Sequence, residues 1–132
     1  MPLLVPNTSA LQAALRLSTH NDWFIACFCA AWCDTCAQYR PKLEALAESQ
    51  PDRVYAWIDI EDHPELLGDE DVENFPTLLV KRGSRTLFYG TMLPHIGHLE
   101  RLLDSLGPDS PDVSTSLPDI LALLQTDRPT DS

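Results

Sequence analysis

The sequence has no long apolar run, little positive charge, and no cysteine outside a single short segment. A membrane-spanning helix needs roughly 18 to 20 apolar residues, and no run approaches that length, so we predict no membrane segment. The N-terminus, MPLLVPNTSA, lacks the basic region, long apolar core and small-residue cleavage site of an export signal. This favours a cytoplasmic location, where a CxxC spacing more often indicates catalysis or metal binding than a structural disulfide.

Positive charge is scarce: 9 Lys and Arg residues stand against 20 Asp and Glu residues, for a net charge of −11. A chain with this balance cannot displace counterions from phosphates, which argues against a nucleic-acid partner. The segment from Val54 to Val80 contains no Lys or Arg but many carboxylates, between Asp59 and Glu73. We interpret it as a solvated acidic surface, and the alternative is a rim that steers basic partners.

Hydrophobic residues make up 44% of the 132 residues and charged residues 22%, as in a globular domain. Apolar patterning predicts an α/β domain, with a mixed β-sheet and helices on both faces. The predicted elements are a short strand at 2–5, a helix starting near Thr8 or Ser9, a buried strand at 23–30, a helix at 34–50, a buried strand at 54–60, a hairpin of strands 77–81 and 86–90, and a helix at 94–106.

The character of the chain changes after Leu106, so we predict a domain of residues 1–106 followed by a distinct segment, 107–132. This segment begins as a polar linker rich in Pro, Ser and Asp. It continues with Leu117, Ile120, Leu121 and Leu124 at the spacing of a short amphipathic helix. The apolar stripe either packs on its own domain or binds a partner.

The four cysteines, Cys27, Cys29, Cys33 and Cys36, could be core residues, metal ligands or a reactive dithiol. Four thiolates are the ligand set of structural zinc and of iron–sulfur clusters, but two of these cysteines lie on a predicted buried strand, so we predict no metal site. Cys33 and Cys36 fall where that strand gives way to a helix. The positive end of the helix dipole favours a thiolate at Cys33, whereas the negative charge of the adjacent Asp34 opposes it. The i, i+3 spacing brings Cys36 within reach. Trp32 offers a flat apolar surface beside them.

The chain resembles the thioredoxin family in three motifs: AAWCDTC with Pro41 following, FPTLLV at 75–80, and Gly90. The resemblance covers residues 2–106. It implies the thioredoxin fold, with thiol–disulfide exchange on protein disulfides and no cofactor. It also implies a partner reductase as electron source and a monomeric protein.

By the same resemblance, Cys33 is the nucleophile and Cys36 the resolving thiol. Pro76 is expected to be cis, in a loop facing the dithiol. The backbone of Phe75 is expected to pair with an extended substrate, and Trp32 completes the substrate-binding set.

The sequence departs from the family at four places. Asp34-Thr35 replaces the usual Gly-Pro between the cysteines, Cys27 replaces a buried Asp, Trp57 replaces its Lys partner, and Cys29 replaces an aromatic residue. Without the Asp and Lys, we expect slower reduction of substrates.

Cys27 and Cys29 should face the same side of their strand, either as small buried residues or as auxiliary thiols that trap or shuttle the Cys33–Cys36 disulfide. The alternative function is a binding or assembly module that holds a partner through the acidic surface and the C-terminal helix.

Overall fold

The computed structural model describes residues 3–6, 8–17, 23–30, 32–50, 52–68, 75–83, 85–107, 109–113, 115 and 117–126. Its strands are β1 (Trp23–Cys29), β2 (Val54–Asp59), β3 (Thr77–Arg82) and β4 (Arg85–Thr91). Its helices are α1 (Ser9–Leu17), α2 (Asp34–Ser49), α3 (Ile96–Ser105) and α4 (Ile120–Thr126), with a short 3₁₀ helix at Pro64–Leu66. None of these helices combines the length and the apolar character needed to cross a membrane.

The four strands form one mixed sheet in the order β2-β1-β3-β4. β1 pairs in parallel with β2 through the crossover helix α2, while β3 is antiparallel to both β1 and β4. This is the predicted α/β fold, and β1 lies at its centre because its continuous apolar sequence can be buried on both faces.

The alternating side chains of β1 divide the core into two layers. Phe24, Ala26 and Phe28 pack in the layer that contains residues of α1 and α4. Ile25, Cys27 and Cys29 pack in the opposite layer, with residues of α2 and α3. The prediction of helices on both faces of the sheet is therefore confirmed, and both strand cysteines lie on the α2 side.

The predicted start of α1 is confirmed at Thr8. Its hydroxyl oxygen accepts a hydrogen bond from the Leu11 backbone N–H at 3.2 Å, which satisfies one of the unpaired donors of the first turn. The helix then buries Leu11 and Leu15 in the core. The predicted strand at 2–5 is represented by one parallel bridge, Leu4 to Ala56. Leu4 donates to Tyr55 O at 3.0 Å and accepts from Trp57 N at 2.7 Å.

The C-terminal helix packs on its own domain. Ile120 and Leu124 are 1% and 0% exposed and belong to the same core layer as α1. α4 begins at Ile120 and not at Leu117, because a residue before a proline is disfavoured in helical geometry and Pro118 follows Leu117. Asp119 instead caps the helix, accepting a hydrogen bond from Ala122 N at 3.2 Å.

The linker returns along β4. Val113 N donates to Thr86 O at 2.7 Å, and Arg85 Nε lies 2.6 Å from Asp112 Oδ1. Arg85 also donates to the backbone oxygen of Ser110. These contacts connect the linker to the sheet.

Candidate functional site

Cys33 occupies the N-cap position of α2, as the sequence predicted. Its backbone is extended, with φ −91° and ψ 118°, and its side chain makes no capping hydrogen bond. Its carbonyl oxygen accepts from Ala37 N at 3.1 Å, which begins the helix. The thiol is free and half-buried. A sulfur at this position lies next to the N–H groups that give a helix N-terminus its partial positive charge, which favours an anion.

Cys36 lies one turn further along α2 and is 1% exposed. In this structure it forms a disulfide with Cys29, the last residue of β1, with 5.8 Å between the two Cα atoms. That separation is in the common range for disulfides. The expectation that Cys33 and Cys36 form the exchanging pair is thus not the pairing seen here, and it stays a prediction.

The physical reason for the Cys29–Cys36 bond lies in the direction of the Cys29 side chain. Cys29 points to the layer beneath α2, where it is fully buried together with Cys36. The family has an aromatic side chain at this position, and its replacement by cysteine puts a thiol directly under the first turn of the helix. The sequence predicted the face of Cys29 and offered it as an auxiliary thiol for the Cys33–Cys36 pair, but it did not indicate that Cys36 is the sulfur to which it bonds.

Cys27 is fully buried, and its Sγ atom lies 3.8 Å from Cys29 Sγ, which confirms that the two cysteines share a face. Burial raises the pKa of the Cys27 thiol far above its ordinary value of 9.0. Cys27 is the register partner of Trp57 on β2, and the Arg40 guanidinium lies 5.1 Å from the centre of the Trp57 ring. The two positions that differ from the family's Asp and Lys are therefore neighbours in the sheet.

An aromatic surface lies beside Cys33. Trp32 is 66% exposed, and its ring meets that of Phe75 edge-on, with 5.6 Å between the centroids. The peptide bond from Phe75 to Pro76 is cis, as predicted. The carbonyl oxygen of Pro76 accepts a hydrogen bond from Met92 N at 3.0 Å, which fixes this loop to the chain after β4. Trp32 and Phe75, predicted as substrate-binding residues, are thus brought together.

A carboxylate lies against the same surface. The Trp32 indole N–H donates to Glu61, and Asp59 Oδ1 accepts from Glu61 N at 2.9 Å and Asp62 N at 3.4 Å. Asp34 is exposed at the start of α2. The remainder of the predicted acidic segment, 69–74, lies outside the described residues. Among the residues described, no group of three or more His, Cys, Asp or Glu side chains is placed to hold a metal ion.

Comparison with known proteins gives consistent matches. The thioredoxin family model matches residues 6–94. A thioredoxin of Alicyclobacillus acidocaldarius subsp. acidocaldarius is 36% identical over 59 residues, which are 44% of this chain and 56% of that protein. A thioredoxin of Listeria monocytogenes serovar 1/2a is 30% identical over 72 residues, 54% of this chain and 70% of that protein.

Solved structures show the same fold. The X-ray structure of Fasciola hepatica thioredoxin superposes with a TM-score of 0.65 at 22% sequence identity, covering 77% of this chain and 97% of that one. This chain spans 52% and 56% of the first two curated relatives it matches, about half of their length.

Proposed function

Because the chain belongs to the thioredoxin family, we propose that it is a thiol–disulfide oxidoreductase acting on protein disulfides. The observation that supports this most directly is the setting of Cys33. It is a free, half-buried thiol at the N-terminus of α2, next to the exposed ring of Trp32. Reactive cysteines are typically partly exposed and close to a helix N-terminus, whereas fully buried thiols are shielded from external reagents.

In the proposed reaction the Cys33 thiolate attacks one sulfur of a substrate disulfide. The other substrate sulfur leaves as a thiolate and takes up a proton, and a mixed disulfide remains. The Cys36 thiolate then attacks Cys33 Sγ, which releases the second substrate sulfur and forms a Cys33–Cys36 disulfide. Two electrons pass from the cysteine pair to the substrate.

The surface beside Cys33 supplies the substrate contacts. The rings of Trp32 and Phe75 offer apolar area, and the backbone at Phe75 and Pro76 is proposed to pair with an extended substrate segment. The carboxylate of Glu61, which lies against Trp32, favours substrates that carry basic residues near the disulfide. We propose no nucleic-acid partner for this acidic chain.

Proton transfer at Cys36 is expected to limit the rate. The position of the family's buried carboxylate is held by Cys27, whose raised pKa makes it a poor proton acceptor at neutral pH. Water or a substrate group has to take the proton instead. We therefore expect slower substrate reduction than in a thioredoxin that has the Asp.

Reactivation is proposed to come from a partner reductase, with the protein acting as a cytoplasmic monomer. One solved neighbour is a complex of ferredoxin:thioredoxin reductase with thioredoxin f2, which is an example of such a partnership in that protein. The alternative of a binding module that uses the C-terminal helix has less support, because Ile120 and Leu124 of that helix are buried against their own domain.

Insulin reduction in the presence of dithiothreitol tests the proposal. We expect turnover by the wild type and only the uncatalysed background with Cys33→Ser, because the attacking sulfur is gone. Cys27→Ala is the matched control, since Cys27 is a buried cysteine of the same segment that takes no part in the proposed steps. Equal turnover by the wild type and Cys33→Ser would exclude the oxidoreductase function.

A further inference from the structure

Three of the four cysteines form a continuous route from the surface into the core. Cys33 is half-buried and free, Cys36 lies one turn inside, and Cys29 is bonded to Cys36 and fully buried. Cys36 is therefore the shared partner: it can bond outward to Cys33 or inward to Cys29. The Cα atoms of Cys29 and Cys36 are 5.8 Å apart, and Cys33 precedes Cys36 by three residues at the N-cap of the same helix.

We propose that Cys29 is a third catalytic thiol, which takes Cys36 over from Cys33 after a substrate has been reduced. The proposal rests on the exchange reaction assigned above to Cys33 and Cys36, and adds a step to it. The disulfide moves from the surface into the core, and Cys33 returns to the free state seen in this structure.

The added step is a thiol–disulfide exchange within the chain. The sulfur of Cys29, having lost its proton, attacks Cys36 Sγ. The Cys29–Cys36 bond forms and the Cys33–Cys36 bond breaks, with Cys33 leaving as a thiolate. The proton lost by Cys29 balances the one that Cys33 can take up. No net electron transfer occurs, so the step needs no external oxidant or reductant.

Burial gives the step a direction. With the inner disulfide, the free sulfur is Cys33, which can be solvated as a thiolate at a helix N-terminus. With the outer disulfide, the free sulfur is Cys29, which is 0% exposed and pays the desolvation cost of any charge. The inner pairing is therefore favoured wherever Cys33 is ionised.

The inner disulfide is also protected from external reductants. Its two sulfurs belong to residues that are 0% and 1% exposed, so an external thiol has no direct route to them. Reduction must start with Cys33, which attacks Cys36 and moves the bond outward to where a reductant can reach it. Cys33 would thus control both the entry and the exit of electrons.

The oxidised chain retains a reactive thiol as a consequence. Cys33 can attack a second substrate disulfide while Cys36 is occupied by Cys29. The resulting mixed disulfide has no resolving thiol within the chain, because Cys36 stays bonded to Cys29, so an external thiol has to attack it to release the substrate. A protein with this order of steps would hold a second substrate covalently, in contrast to one that has only the Cys33–Cys36 pair.

Peptide mapping of the oxidised full-length wild type tests the pairing directly. The protein is oxidised with glutathione disulfide, the remaining thiols are blocked with N-ethylmaleimide in denaturant, and the chain is cut with chymotrypsin. Cleavage after Phe28 and Trp32 places Cys29 on one peptide and Cys33 with Cys36 on the next. The inner disulfide joins two peptides with Cys33 blocked, whereas the outer disulfide lies within one peptide. We expect the joined pair, and a linkage within one peptide overturns the proposal.

The rate of reduction of the inner bond tests the role of Cys33. We expect the oxidised Cys33→Ser variant to retain the Cys29–Cys36 bond but to be reduced by glutathione under native conditions at least about 10-fold more slowly than the wild type. Cys27→Ala is the control and should match the wild type, because Cys27 is a second buried thiol of β1 outside the route. Equal rates for Cys33→Ser and the wild type overturn the relay.

Counting the accessible thiols tests the disulfide pairing without measuring the oxidoreductase activity. In the folded, oxidised wild type, maleimide should label about one thiol per chain, at Cys33; in Cys29→Ala it should label none at Cys33, since the outer bond then forms. If Cys29→Ala does not fold, Cys29→Val replaces it, and the wild-type map needs neither variant. If the protein reduces insulin but the map shows no Cys29–Cys36 bond, only the relay is overturned. If the map shows that bond but the protein does not reduce insulin, the proposed function is overturned and the pairing stands.

Discussion

The packing of α4 on α1 leads to a quantitative prediction for Leu124→Ala. Leu124 is 0% exposed and lies in the core layer of α1. Replacing a fully buried leucine by alanine loses transfer free energy and leaves a cavity, which costs about 2.7–5 kcal/mol in well-packed cores. Taking about 3 kcal/mol and a urea m-value near 1.5 kcal/mol/M, the midpoint of unfolding should fall by about 2 M.

Urea unfolding followed by far-UV circular dichroism measures this shift, with Leu121→Ala as the matched control. Leu121 is the same residue type on the same helix, but it is only half-buried, so its loss should cost about half as much or less. The order of the two midpoints is the informative result, because both variants remove the same atoms.

A shift below about 0.3 M for Leu124→Ala would refute the argument, since it would mean that the side chain loses no packing. The helix would then not be part of the core, and its apolar stripe would again be available for a partner. An equal shift for both variants would point to helix propensity as the cause and not to burial.

Two further predictions concern the stability of the domain. Burial raises the pKa of Cys27 from 9.0 and that of Tyr55 from 10.0 to about 12, so above pH 9 the folded state binds more protons than the unfolded state. Cys27 alone should therefore lower the stability by about 1.4 kcal/mol between pH 9 and 10, and the fall should become steeper above pH 10, where Tyr55 adds to it; Cys27→Ala should remove the part between pH 9 and 10, and an unchanged slope there in that variant would contradict this cause. Reducing the Cys29–Cys36 disulfide, with its sequence separation of 7, should lower the free energy of unfolding by about 2–3 kcal/mol. The reductant should have no such effect on Cys36→Ala, which lacks the bond. No loss in the wild type, or an equal loss in both proteins when the reductant is added, would show that this bond does not stabilise the fold.

Features set within one element could be predicted from the sequence. The apolar run from Trp23 predicts a strand buried on both faces, and alternation along it puts Cys27 and Cys29 on one side. The hydroxyl of Thr8 marks the start of α1 because side-chain caps act within a single turn. Cys33 is placed at the start of α2 by the same local logic.

Features that depend on the distance between elements could not be predicted. The i, i+3 spacing makes Cys33 a natural partner of Cys36, and only the close crossing of β1 and α2 shows that Cys29 is another. The linker is polar throughout, so its sequence did not indicate that Asp112 would meet Arg85 on β4. Pro118 did carry a local signal, and it accounts for the later start of α4.

The bridge at Leu4 and the hydrogen bond from Val113 to Thr86 occupy opposite borders of the sheet. Exposed outer strands are templates on which other chains can add, and such addition leads to aggregation. In this molecule, part of each border is already taken by a segment of the same chain. We therefore expect the folded protein to resist fibril-like association at high concentration, and its N-terminal and linker segments to be the parts responsible.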